Sequence, residues 1–127
     1  MPPFKPKQLA VISIRAKNVS KTVHFYRDVI GLTLVPHHDH WPAFDLGGTY
    51  LVIVEGQPPP VHESEATCFP VLAWEVEDLD QAVEHLQAHN VDLPWGIKKG
   101  RGTRWVMFFD PAGNLIEFVE ANEAIYA

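Results

Sequence analysis

The 127-residue chain states one folding plan twice. A plan that recurs along a sequence limits the available architectures more than any single motif does. Asn18-Val19 is matched by Asp78-Leu79 at an offset of 60, and Asp45-Leu46-Gly47-Gly48 by Asp110-Pro111-Ala112-Gly113 at an offset of 65. The second half therefore carries about five extra residues, most simply in Pro94–Gly102. Neither half is long enough to be comfortably stable alone. One domain is expected over residues 1–127, with module one at 8–55, a linker at 56–67 and module two at 68–121.

Module one opens with Leu9–Ala16, which reads as a strand. Ile12, Ile14 and Ala16 share one face, and Val11, Ser13 and Arg15 the other. Asn18 or Ser20 can cap a helix whose apolar positions Val19, Val23, Tyr26 and Ile30 keep helical spacing. Gly31 can end it in the left-handed conformation. Leu32–Val35, Ala43–Leu46 and Tyr50–Glu55 then read as strands, the last two joined by the Gly47-Gly48 turn. Three consecutive prolines, Pro58-Pro59-Pro60, cannot continue a ladder, so Gly56 to about Thr67 reads as the linker. Module two repeats the order. Phe69–Val76 is strand-like, Asp78 and Gln81 have the spacing of a capping box, and Leu79, Val83 and Leu86 form an apolar stripe. Asn90 is the expected left-handed terminus, followed by strands at Val91–Leu93, Thr103–Phe109 and Leu115–Glu120. The class is α+β, built from two tandem βαβββ modules.

Apolar residues make up 46% of the chain and charged residues 20%, which is globular composition. The net charge of −6 argues against nucleic acid as a partner, since phosphate backbones need clustered Lys and Arg. The one basic run, Lys98-Lys99-Gly100-Arg101, reads as a solvated loop. A single cysteine, Cys68, excludes an intrachain disulfide and fits a reducing compartment. No base stands beside it to make it a nucleophile. No apolar run nears the roughly 18 residues of a membrane span. Residues 1–7 lack the apolar core of a secretory signal. The expected location is cytoplasmic, with no membrane partner.

Asn18-Val19, Phe25-Tyr26-Arg27-Asp28-Val29-Ile30-Gly31-Leu32 and Phe109-Asp110-Pro111-Ala112-Gly113-Asn114-Leu115-Ile116-Glu117 are together informative. This pattern resembles the glyoxalase / bleomycin-resistance / extradiol-dioxygenase group, the vicinal oxygen chelate superfamily, over about residues 8–121. The resemblance implies one cup-shaped mixed-sheet domain and a homodimer. It also implies a chemistry. Enzymes of the group hold a divalent metal through His, Gln or Glu on the first and last strands of each module, leaving open positions for substrate. The resemblance maps those positions onto Val11, Val52, Val71 and Glu117. Valine offers no lone pair, and one carboxylate does not hold a divalent ion against water. A one-residue slip on the first strands reaches Ala10, Ile12, Pro70 or Leu72, none of which is a ligand. No metal and no cofactor are therefore expected.

The same mapping nominates a ligand-binding set. Ser13 and Arg15 share the inward face with Val11, and Ala73 and Glu75 share it with Val71. Glu117 is a candidate acceptor for ligand, a candidate base, or a structural partner of Arg15 or Arg104, because a carboxylate in apolar surroundings either pairs or takes a raised pKa. Trp41 and Phe108 fit cup-lining positions, where rigid rings suit a planar ligand. Trp95 fits the rim, and Trp74 and Trp105 fit the core under the helices. His37-His38-Asp39-His40 has metal-ligand chemistry but lies between Pro36 and Pro42, where exposed polar loops are common. His24, His62, His85 and His89 read as surface residues. The expected function is binding of a small organic molecule, aromatic or antibiotic in kind, by Val11, Ser13, Arg15, Trp41, Val52, Val71, Glu75, Phe108 and Glu117. One rival is a metal-dependent lyase, isomerase or dioxygenase using Glu117 with His37, His38 or His40. Another is a metal-free isomerase or epimerase with Glu117 or Glu75 as proton carrier.

Overall fold

A computed structural model of the chain describes residues 3–36, 41–57, 70–100 and 102–121. It forms two compact units, Met1–Pro58 and Pro59–Ala127, each a βαβββ module. The first comprises β1 (Val11–Ala16), α1 (Val19–His24), a π-helical continuation of α1 (Phe25–Ile30), β2 (Thr33–Leu34), β3 (Ala43–Asp45) and β4 (Tyr50–Glu55). The second comprises β5 (Leu72–Glu75), α2 (Leu79–Ala88), β6 (Lys98–Gly100), β7 (Thr103–Phe109) and β8 (Leu115–Ala121). Each unit has one four-stranded mixed sheet, ordered β1-β4-β3-β2 and β5-β8-β7-β6. The first and last strands of each unit pair in parallel, and the other pairings are antiparallel. The α+β class and the duplicated plan follow from these elements. Most of the expected linker, residues 58–67, lies outside the described residues.

In the first unit the helix begins at Asn18, whose side chain accepts the Lys21 N–H at 3.0 Å. Ser20 is therefore not the cap. Thr22, Phe25 and Tyr26 are buried against Ala16, Phe44, Leu51 and Ile53. Tyr26 stands 5.4 Å from Phe25 in an edge-to-face contact and 6.0 Å from Phe44. The helix is not α-helical throughout, as the regular spacing predicts. Gly31, at φ 90°, donates its N–H to the Tyr26 carbonyl five residues back. The wider turn absorbs one residue. Asn18 and Gly31 are thirteen apart, while the corresponding Asp78 and Asn90 of the α-helical second unit are twelve apart. Asn90 takes φ 59°, the left-handed terminus its residue type suggests.

In the second unit Asp78 caps α2 by accepting the Gln81 N–H at 3.1 Å. Leu79 and Leu86 are fully buried with Val106, Phe108 and Ile116, while Val83 is half-buried. A polar latch fixes the start of the helix to the sheet. Glu120 on β8 accepts the Leu79 N–H at 2.7 Å and takes two bonds from Arg104 on β7, at 3.0 and 3.1 Å. Arg104 also reaches Asp80 at 3.3 Å. Hydrogen bonding to Asp80 and then to Glu120 raises the Arg104 pKa above its ordinary value.

The expected strand at Val91–Leu93 is not formed. Leu93 instead accepts the Gly96 N–H at 3.1 Å in a tight turn, with Gly96 at φ 64°, and β6 forms about seven residues later than expected. Lys98 and Lys99 are thus strand residues rather than loop residues, paired with Trp105 and Arg104. Arg101 lies outside the described residues.

The β7–β8 turn is built on a buried carboxylate. Asp110 is 4% exposed and accepts the N–H groups of Ala112 and Asn114, both at 2.9 Å, and the Asn114 amide at 3.0 Å. Asp110→Ala leaves those donors without their acceptor. It is expected to lower the unfolding free energy by about 2–3 kcal/mol, read from urea denaturation, with Asp110→Asn losing less.

Candidate functional site

Each sheet has one face under its helix and one face away from it, and register decides which side chains go where. In the first unit Ile12, Ile14 and Ala16 alternate toward the helix side, pairing with Leu51, Ile53 and Glu55. The open face carries Val11 opposite Tyr50, Ser13 opposite Val52, and Arg15 opposite Val54. Ala43 on β3 completes it beside Val52. Val11 is 50% exposed and Tyr50 42%. This face is therefore largely apolar, with Arg15 as its cation.

In the second unit Ala73 pairs with Glu117, and Glu75 with Val119. Across the other edge of β8, Glu117 pairs with Met107, and Val119 with Trp105. Lys98 on β6 stands opposite Trp105. Val71 immediately precedes β5 and continues its alternation onto the side of Ala73 and Glu75. Glu117 thus sits half-buried among Ala73, Met107 and the neighbouring Val119, on the same face as Trp105. A carboxylate in that setting can accept a hydrogen bond from a ligand or carry a proton. Arg104 is not its partner. The Arg104–Glu120 pair lies on the opposite face, under α2.

The registers also test the overlay of the two halves. Ser13 opposite Val52 recurs as Ala73 opposite Glu117, keeping offsets of 60 and 65. The penultimate strands break the pattern. Ala43 pairs with Val52 and Met107 with Glu117, an offset of 64. The extra residue is in the turn. Residues 46–49 separate the paired Asp45 and Tyr50, whereas residues 110–114 separate Phe109 and Leu115.

That single residue reverses two expectations. Phe108, expected to line the ligand face, is fully buried on the helix side and packs edge-to-face on Phe118 at 5.1 Å. Trp105, expected in the core beneath the helix, is on the open face, half-buried. Nothing in β7 itself reveals this, because Trp105-Val106-Met107-Phe108-Phe109 is apolar on both faces. The signal that does reveal it is Arg104, whose ion pair with Glu120 places even-numbered β7 residues under α2. Trp74 is on the helix side, as expected, paired with Phe118. Trp41 is 37% exposed just before β3. Trp95 lies 5.8 Å from Phe109. His37, His38 and His40 lie outside the described residues, as does Cys68. Among the described residues, no group of three or more His, Cys, Asp or Glu side chains is placed to hold a metal ion.

The sequence model of the glyoxalase/bleomycin resistance protein/dioxygenase superfamily matches residues 8–118. The chain belongs to that superfamily. Among its relatives it is 33% identical over 124 residues to the uncharacterized protein YaeR of Escherichia coli strain K12, covering 90% of this chain and 96% of that one. It is 24% identical over 109 residues to the metallothiol transferase FosB of Staphylococcus saprophyticus, covering 84% and 72%. Its fold is shared by TnmS3, an antibiotic binding protein from Streptomyces sp. CB03234, at a TM-score of 0.76 and 23% identity over 94% of this chain and 99% of that one. It is also shared by a lactoylglutathione lyase from Agrobacterium tumefaciens, at 0.70 and 22% over 91% and 95%. At these identities the structural likeness establishes the glyoxalase-type fold and not the chemistry.

The reassignment of β7 has a direct consequence. Phe108→Ala opens a cavity beneath α2 and is expected to cost about 3–5 kcal/mol of stability, measured by chemical denaturation. A merely ligand-lining phenylalanine would cost far less.

Proposed function

We propose that this superfamily member is a small-molecule-binding protein that takes an organic ligand on the open sheet faces without a metal. The supporting observation is chemical. Of the four positions at which the superfamily's enzymes place metal donors, Val11, Val52 and Val71 carry no donor atom, and Glu117 alone does. That set does not fit a divalent ion, which needs three or four protein ligands. The face around Glu117 offers instead apolar area from Met107 and Val119, a flat ring from Trp105, and one acceptor. Such a mixture suits an aromatic ligand with a donor group or positive charge. The first unit's face offers Val11, Ser13, Arg15 and Val52 in the same register. An antibiotic binding protein with the same fold indicates that the fold admits a ligand of this kind. Glu75 stands two residues along β5 from Ala73 on the Glu117 face and is a second acceptor there. A homodimer in the cytoplasm is the assembly and location this reading carries.

The competing reading is a metal-dependent lyase, isomerase or dioxygenase built on Glu117 with His37, His38 or His40. One set of measurements separates the two. Tag-free protein dialysed against EDTA is screened by thermal shift against aromatic metabolites and glycopeptide drugs, since a ligand for the folded state raises the melting temperature. A hit is expected without added metal. Glu117→Gln is expected to weaken that hit about tenfold or more while leaving the unliganded melting temperature near that of the parent. Near-stoichiometric Zn, Ni, Mn or Fe that survives the dialysis and is lost in Glu117→Gln would overturn the metal-free reading.

A further inference from the structure

We infer that Gly100 is a positioning residue for Trp105, and that the tryptophan it seats makes the second unit's open face selective for planar aromatic ring systems. The inference rests on the reading of that face as a ligand face and adds which residues set its selectivity.

The observation is steric. A Cβ built on Gly100 would lie 2.9 Å from Cζ3 and 3.3 Å from Cη2 of Trp105, two atoms at the far edge of the indole. It would also lie 3.3 Å from the hydroxyl oxygen of Thr103, the residue paired with Gly100. An alanine at this position therefore forces the ring or the strand to move. Backbone conformation is not the reason for the glycine. Gly100 is not among the glycines at positive φ, whereas the turn residue Gly96 takes φ 64° and has nothing within 4 Å of its Cβ direction. Glycine within a strand has an entropic cost and packs no side chain, and it often marks a close approach by another group. Here that group is the Trp105 ring.

Trp105 stands between Val119 on β8 and Lys98 on β6, and its far edge extends diagonally to Gly100 on β6. An indole standing upright from the sheet would carry Cη2 well above the level of a neighbouring strand's Cβ. The ring therefore reclines across β6. It is half-buried, as a ring covered on its sheet side and open on its outer side would be. A rigid ring held in this way is a platform for stacking by another ring. Its seat removes alternative orientations, so a ligand does not have to order a mobile side chain on binding. Trp74 and Trp95 do not offer the same surface, since Trp74 is on the helix side opposite Phe118 and Trp95 packs on Phe109.

The first measurement needs no ligand. In Gly100 a hydrogen takes the direction that a Cβ would take. Its Hα NMR signal is expected to carry a ring-current displacement that is lost in Trp105→Leu. The second measurement is titration calorimetry on the full-length protein with 2-naphthylmethylamine and its saturated counterpart, decahydro-2-naphthylmethylamine. The two probes share an ammonium group and differ in planarity. The planar probe is expected to bind about fivefold or more tightly than the saturated one. Gly100→Ala is expected to reduce that preference about threefold or more, because the ring loses its seat. Trp105→Phe, whose shorter ring stops short of position 100, is expected to lower the preference by itself and to make a further Gly100→Ala change without effect. Such non-additivity is the signature of one residue acting through the other, and a general loosening of β6 would not produce it. A Gly100 signal unchanged by Trp105→Leu would overturn the seat. Equal binding of the two probes, or Gly100→Ala acting alike with Trp105 and with Phe at that position, would overturn the selectivity and leave the ligand-binding reading standing. The same holds if neither probe binds while other organic compounds do. Failure to bind any organic compound would overturn both.

Discussion

The parallel pairing of the first and last strands in each unit organises everything else. β1 lies beside β4, and β5 beside β8, with equivalent residues in equivalent register. Parallel neighbours cannot be joined by a tight turn, so the chain must cross back between them. The helix makes that crossing and covers one face of the sheet. The remaining two strands then extend the sheet by antiparallel pairing, which leaves the second face open. The separation into a packed face and an open face is therefore a result of this pairing, not of any loop.

What holds the two faces apart differs between the units. The first relies on aromatic packing, with Tyr26 against Phe25 and Phe44, and on a helix that widens to take one more residue. The second adds a part-buried ionic connection, in which Glu120 joins a helix N–H to Arg104. Charge-assisted bonds of this kind are directional. They fix the rotation of β7 and β8 where hydrophobic alternation is silent. Glu117, three residues before Glu120, is consequently held on the opposite face. Two carboxylates on one strand have different roles because strand periodicity separates them.

On the metal-free proposal, the duplicated scaffold is kept while valine stands at three of the four positions that the family resemblance assigns to metal donors. The open face of the first unit carries Arg15 amid apolar side chains, and that of the second unit carries Glu75 and Glu117. The packing residues beneath the helices carry no such burden, and they keep the fold.

Much of this was legible in the residues themselves. Asn18 and Asp78 announce the helix starts through their capping oxygens, and Gly31 and Asn90 the helix ends through their tolerance of positive φ. The alternation in β1 assigns Ser13 and Arg15, with Val11, to one face, because polar and apolar residues there obey a period of two, whereas Val52 takes its face from its pairing with Ser13. Tertiary structure alone decided the rest. The strand at Lys98–Gly100 exists because β7 offers it a partner, although its own residues have little strand character. The faces of Trp105 and Phe108 depend on one additional residue in a turn and on an ion pair that closes across three elements. A strand that is apolar on both sides has no preferred phase of its own, and only its neighbours can supply one.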